Sequence, residues 1–143
     1  MNRHALVLLA ALAAPSCLTI PKERMVDVEH PLVTTESGVR YQDRLTGTGE
    51  LTPIPGMSVT IDYVCTLEDG SEVDSTYARG RSVTFTHGEA WIPGIDRGTE
   101  GMRVGGKRLV IVPPELAYGE LGVAGLIPAD AELHFEIELL ALE

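Results

Sequence analysis

Residues 57–67 read MSVTIDYVCTL, and their alternation decides the fold: Val59, Ile61, Tyr63, Cys65 and Leu67 fall on one face, with Ser58, Thr60, Asp62 and Thr66 opposite. A period of two with one apolar and one polar face is the signature of a half-buried strand. The last stretch repeats it, because Leu133, Phe135, Ile137 and Leu139 alternate with Glu132, His134, Glu136 and Glu138. A sheet with one wet face is therefore expected. Val39 to Leu45, Val83 to Phe85 and Val104 to Val112 supply further strands, and Glu68-Asp69-Gly70-Ser71 reads as a hairpin turn. Only Trp91 to Gly101 looks helical, and Pro93 suits its start and Gly98 and Gly101 its end. One short helix beside an antiparallel sheet is an α+β arrangement. Pro113 to Ala131, punctuated by Pro113, Pro114, Gly119, Gly122, Gly125 and Pro128, is a long loop of the kind that usually carries function.

Composition narrows the function. The chain has 143 residues and 44% apolar content, enough for one domain with a core. Its formal net charge of −10, with no local run of Lys and Arg, opposes nucleic-acid binding. Two cysteines, Cys17 and Cys65, form no CxxC and no Cys/His pair at zinc spacing, and the four histidines lie far apart. Neither a metal site nor a disulfide framework is expected. The abundant carboxylates read as a solvated acidic surface, since sequence alone cannot set two of them at the roughly 5–9 Å separation of a glycosidase pair.

The amino-terminal stretch reads as an address. After Arg3 and His4, Ala5 to Ala14 is an uninterrupted apolar run, about half the roughly twenty residues that a membrane-spanning helix needs. It is expected to be an export signal. Ala14-Pro15-Ser16-Cys17 resembles a bacterial lipobox, which would make Cys17 the acylated first residue of the mature chain; Pro15 and the missing aliphatic residue three before the cysteine depart from it. The alternative is a plain secretory signal cleaved near Ala11-Leu12-Ala13, which would leave Cys17 an incidental thiol. Residues 1–17 are thus assigned to the signal, 18–37 to a tether containing Pro21 and Pro31, and 38–143 to the domain. The expected location is the bacterial envelope, periplasm or outer membrane, with membrane attachment only through lipid.

Within the domain an ordered series stands out: Asp62-Tyr63, Leu67-Glu68-Asp69-Gly70, Asp74-Ser75, Ile92-Pro93-Gly94, Val104-Gly105-Gly106-Lys107-Arg108, Leu116-Ala117-Tyr118-Gly119, Ile127-Pro128 and Leu133-Phe135-Glu138-Leu139. In order and spacing it resembles the FKBP-type peptidyl-prolyl cis/trans isomerase domain. That resemblance implies a twisted five- or six-stranded antiparallel sheet wrapped around one short helix, with a proline pocket between them. It further implies that Tyr63, Asp74, Ile92, Tyr118 and Phe135 carry catalysis, the Ile92 N–H and the Tyr118 hydroxyl donating to peptide carbonyls. Val73, Val83, Trp91, Ile95, Leu126 and Ile127 would complete the substrate surface. Val73, Val83 and Ile95 depart from aromatic residues usual or common at those positions, which implies a shallower pocket and weak macrolide binding. Trp91 either swings over the opening or packs at the helix start.

Each residue also has a plainer role. Tyr63, Ile92 and Phe135 lie in runs that would be core in any sheet protein, and Asp74 could cap the turn after Gly70. Tyr118-Gly119 is the hardest to explain structurally, because an aromatic in a Gly/Pro-rich loop has no periodic core to join. The expected partners are Xaa-Pro segments of unfolded or folding proteins, and no cofactor is called for. Two functions are in play: an isomerase of exported proteins, favoured by Tyr63, Asp74, Tyr118 and Phe135, and a proline-binding chaperone module with little turnover, favoured by the three departures.

Overall fold

The computed structural model describes residues 30–143. Seven strands form one antiparallel sheet: β1 (Val33–Thr34), β2 (Arg40–Leu45), β3 (Ser58–Leu67), β4 (Glu72–Ser75), β5 (Val83–Thr86), β6 (Lys107–Val112) and β7 (Leu133–Leu142). Two short helices, α1 (Thr76–Arg79) and α2 (Pro93–Thr99), and a 3₁₀ turn at Pro114–Leu116 complete it. The spatial order is β1-β2-β6-β7-β3-β4, with β5 pairing β3 beside β4. This is the α+β architecture that the alternation implies. The count reaches seven because two-residue β1 pairs Val33 with Tyr41 and Thr34 with Arg40 at the sheet edge. The tether assigned to 18–37 therefore overlaps the sheet at its carboxyl end. Its remainder, like Cys17 and the signal, lies outside the described residues.

Burial follows the predicted alternation. Val59, Ile61, Tyr63 and Cys65 of β3 and Leu133, Phe135, Ile137 and Leu139 of β7 are buried, while their neighbours are more exposed. The two strands pair along their length, from Val59↔Leu142 to Leu67↔Leu133. The other edge of β3 is divided: β5 pairs Ser58–Ile61 and β4 pairs Val64–Thr66. Between them Tyr63, which stands opposite Ile137 of β7, has no strand partner on this edge. The buried Thr76 side chain fills the gap, its hydroxyl accepting from the Tyr63 N–H at 2.9 Å and donating to the Tyr63 carbonyl at 3.3 Å. A buried backbone donor left unpaired would be costly, so Thr76 does what a ladder bond does elsewhere.

The single turn α1 lies outside the sequence expectation of one helix. Ser75 caps it by accepting from Ala78 N, and Gly80, at φ 65°, ends it in the left-handed region where glycine carries no Cβ penalty. The helix α2 lies close on β6. An added Cβ at Gly94 would meet Val112 Cγ1 at 2.1 Å, and one at Gly98 would meet Val110 Cγ1 at 2.3 Å. Two glycines one turn apart thus let the helix backbone rest on two valines that share one face of the strand. At its far end, Arg108 is almost wholly buried. It donates to Asp43 at 2.6 Å and to the carbonyls of Gly98 and Glu100, and its guanidinium lies 4.1 Å from the Tyr41 ring centroid. A cation on the last carbonyls is the favourable charge for a helix C-terminus. Helix α2 is thus fixed to β2 and β6, and Trp91 and Ile92 lead into it.

Candidate functional site

The site grows out of the inner face of β3. Cys65 stands between Asp74 of β4 and Phe135 of β7 in register, so these three side chains share a face, and Tyr63 follows two residues along it. The Tyr63 hydroxyl donates to Asp74 Oδ2 at 2.5 Å. Its ring meets Phe135 edge-on at 5.5 Å and stacks against Trp91 at 5.6 Å with 28° between planes. Trp91 in turn meets Phe85 edge-on at 5.8 Å. Such pairings are worth about 0.5–1.5 kcal/mol each beyond burial. Four aromatic rings therefore run in series from the core to the surface.

The remaining expected residues take three kinds of place. Ile92, Ile95 and Ile127 are buried in the core cluster that holds Tyr63 and Phe135. Val73, Val83 and Tyr118 are partly buried against that cluster. Leu126 stands apart: it is 50% exposed and lines a separate groove on the loop before β7. Trp91 is 41% exposed and stacked on Tyr63, so it sits over the aromatic face and is not a core residue of the helix start. The turn after Gly70 is capped by Asp69, which accepts from Ser71 N at 2.8 Å, and Asp74 is free for Tyr63.

The polar end is held in one ionisation state. Burial, reinforced by the hydrogen bond to Asp74, pushes the Tyr63 phenol up to about 12. Burial also raises Tyr118, with the negative charges that Cys65 and Asp74 can carry adding to it. Both phenols therefore stay protonated donors at neutral pH. The Cys65 thiol is pushed up to about 12 by burial and then by Asp74, so it stays a thiol. A thiol in that state is a poor nucleophile.

A family model described as FKBP-type peptidyl-prolyl cis-trans isomerase matches residues 49–140, most of the chain and all of this site. The chain belongs to that family. It is 46% identical over 110 residues to the FKBP-type peptidyl-prolyl cis-trans isomerase FkpA of Aeromonas hydrophila, a match covering 77% of this chain and 40% of that protein. The chain thus spans less than half the length of that relative. It is 43% identical over 88 residues to the FK506-binding protein of Neisseria meningitidis serogroup C, covering 61% of this chain and 81% of that one. Among solved structures it resembles AtFKBP13, with a TM-score of 0.72 and 35% identity over 79% of this chain and 99% of that one.

Two residues that this FKBP domain brings to the site escaped sequence reasoning. Arg79 pairs with Asp74, lies 3.4 Å from the Tyr63 hydroxyl through Nη2, and stands 5.8 Å from the Tyr63 ring centroid. Phe85 backs Trp91. A signal for Arg79 existed: Ser75 and Gly80 are a start and a stop at the spacing of a single helical turn, which returns residue 79 toward residue 74. For Phe85 there was none, since its strand position says only that it packs.

Proposed function

We propose that this chain catalyses cis/trans isomerisation of Xaa-Pro bonds in exported proteins. The observation that carries the reading is the aromatic face of Tyr63, Trp91 and Phe135, closed at one end by the Tyr63–Asp74 hydrogen bond, in a domain of this family. The amide before proline turns over a barrier of about 18–20 kcal/mol because partial double-bond character is lost in the twisted transition state. No proton moves and no covalent intermediate forms. A site accelerates this step by holding the twisted amide better than the planar one.

Tyr63, Ile92 and Phe135 supply apolar surface for the prolyl ring, with Ile95 and Ile127 behind them. Water excluded from the amide carbonyl disfavours the charge-separated planar form. The Ile92 N–H and the Tyr118 hydroxyl donate to the flanking carbonyls. Asp74 orients Tyr63 and faces the twisting carbonyl from the pocket edge. Val73, Val83 and Ile95 leave less aromatic wall, which makes macrolide binding weak, and Trp91 restores part of that contact from outside. Isomerisation of a short Xaa-Pro peptide by the full chain tests this, and an unaccelerated rate overturns it. The second reading, a proline-binding chaperone with little turnover, rests on the same three departures. It predicts suppressed aggregation of an unfolded protein without that acceleration.

For location, the apolar run Ala5 to Ala14 and the lipobox-like Cys17 support export to the bacterial envelope with attachment through lipid. Among the described residues no helix is long and apolar enough to cross a membrane. Cys17→Ser should move the chain from the membrane to the soluble fraction of the envelope. Stable anchoring needs more than one acyl chain, which a lipoprotein cysteine supplies. Unchanged partitioning would favour the plain secretory signal.

A further inference from the structure

One largely buried titratable pair lies outside the proposed mechanism. His87 continues the inner face of β5 two residues after Phe85, and its side chain is only 5% exposed. Its backbone is fixed against the segment before β3, with His87 N donating to Met57 O at 2.8 Å and Gly56 N to His87 O at 3.0 Å. The ring Nδ1 is buried and has no hydrogen-bond partner among the described residues, yet it stands 3.6 Å from Asp96 Oδ1 on α2. That separation is too long for a hydrogen bond, and a buried polar atom left unsatisfied calls for an explanation.

Asp96 links this ring to the candidate site. Through the same Oδ1 it accepts from Gly88 N at 2.8 Å, and through Oδ2 from Ala90 N at 3.1 Å. Trp91, next in the chain, stacks on Tyr63 at 5.6 Å and meets Phe85 at 5.8 Å. The other charged side chains of the neighbouring segments are exposed: Glu89 on the loop, Arg97 and Glu100 on α2, and Glu143 after β7. Arg97 and Glu100 pair with each other at 3.2 Å. Residues 51–57, which lead into β3 beside His87, carry no charged side chain. Asp96 is therefore the charge that His87 meets.

We infer that His87 is a pH-dependent positioning residue for the proposed isomerase site: on taking a proton it closes on Asp96 and tightens the loop that seats Trp91 over Tyr63. The inference rests on the isomerase reading above. Imidazole is the side chain whose charge ordinarily changes between pH 5 and 8. As a cation the ring donates from Nδ1 and attracts the carboxylate, and closing to the usual length of about 2.7–2.9 Å takes less than about 1 Å. A carboxylate oxygen accepts more than one bond, so Gly88 N keeps its partner and the loop amides move with Asp96. With the ring neutral, the two amide bonds alone hold the loop to α2. Trp91 is 41% exposed, so the contact it offers a bound peptide depends on how firmly that loop is held.

The test uses the full chain and two readouts between pH 8 and pH 5. Acrylamide quenching of Trp91, the single tryptophan, should decrease as pH falls. Over the same range KM for a capped Xaa-Pro tetrapeptide without ionisable groups, followed by magnetisation exchange, should fall by about fivefold, the low end of couplings between sites, with kcat little changed. Both changes should be lost in His87→Leu and in Asp96→Asn, which keeps an oxygen for the loop amides. Both should persist in His134→Gln, which removes the other histidine that faces a carboxylate among the described residues. Should His87→Leu fail to fold, His87→Gln takes its place. Quenching or KM that is flat in the parent, moves in the opposite sense, or changes equally in the His87 and Asp96 variants overturns the inference. If the tetrapeptide is not accelerated at any pH, the isomerase reading falls and the positioning role with it; acceleration with flat KM and flat quenching sinks the positioning role alone.

Discussion

Gly98→Ala sets two effects of opposite sign against each other, and the seating of α2 on β6 decides between them. In a free helix the change should stabilise, because alanine exceeds glycine by about 1 kcal/mol in helix propensity. Here the new Cβ would meet Val110 Cγ1 at 2.3 Å and Cγ2 at 3.0 Å, where an ordinary carbon contact is about 3.5–4.0 Å. Val110 is fully buried and Arg108 pins the end of the helix, so neither partner moves without disturbing the core. Overpacking costs about 1–3 kcal/mol, and a methyl forced to 2.3 Å from a fixed carbon belongs in the upper part of that range, about 2–3 kcal/mol, leaving a net loss of about 1–2 kcal/mol after the propensity gain. For a domain of this size that is a fall in Tm of roughly 4–8 °C. Thermal unfolding followed by circular dichroism measures it, and Trp91, the single tryptophan, should report the displaced helix start through its fluorescence. In a Val110→Ala background the added methyl should cost less, with a coupling of about 1 kcal/mol. A Gly98→Ala chain as stable as the parent, or more so, or one with no coupling to Val110→Ala, would refute the close seating of helix on sheet.

Three further outcomes are expected. Asp74→Ala and Tyr118→Phe should each slow peptide isomerisation about tenfold or more while leaving Tm near the parent value; equal activity in both would remove them from the mechanism. Val73→Phe should tighten macrolide binding by about fivefold, since each restored aromatic wall adds about 1 kcal/mol of contact, and nanomolar inhibition of the unmodified chain in a competition assay would contradict the reduced wall. Tyr63 and Cys65 hold their protons more tightly when folded than when unfolded, both rising to about 12. The stability this gives is intact below the unfolded values near 9 and 10 and is lost as pH rises toward 12. Denaturant midpoints should therefore fall over that window and stay level across neutral pH, and a midpoint that climbs above pH 10 would argue that these groups are not buried.

How far the chain could be read before its structure depended on the range of each signal. Strands β3 and β7 were legible because alternation over ten residues reports burial directly, and every predicted inward residue from Val59 to Cys65 and from Leu133 to Leu139 is buried. Two-residue β1 was not, because its pairing with Tyr41 and Arg40 is tertiary and leaves no periodic trace. The single turn α1 is too short for a 3.6-residue period, so Arg79 did not stand out in the sequence. Trp91 had two readings because adjacency to a helix start does not give the direction of a side chain. Its stacking on Tyr63 comes from the path of the loop between β5 and α2, which Asp96 fixes by accepting from Gly88 N at 2.8 Å and Ala90 N at 3.1 Å.

The two ends of the candidate site are built by different departures from the regular sheet, and this separates what can be changed without unfolding the domain. At the polar end the chain leaves the edge of β3 after Ser75, turns once through α1 and returns as β5 at Val83. The detour leaves Tyr63 without a strand partner on that edge, supplies Thr76 to satisfy its backbone, and carries Arg79 back over Asp74 and the Tyr63 ring. Asp74 and Arg79 both keep substantial exposure, so removing either leaves no buried charge behind. Thr76 is different: it is fully buried and replaces two ladder bonds, so Thr76→Val should destabilise the domain by about 1–3 kcal/mol while leaving every pocket side chain in place. At the apolar end Ile92, Ile95 and Phe135 lie in the core and are also assigned to the proposed pocket, so truncating any of them should lower activity and stability together. Activity lost without stability at Asp74, and both lost together at Phe135, is the pattern this division requires.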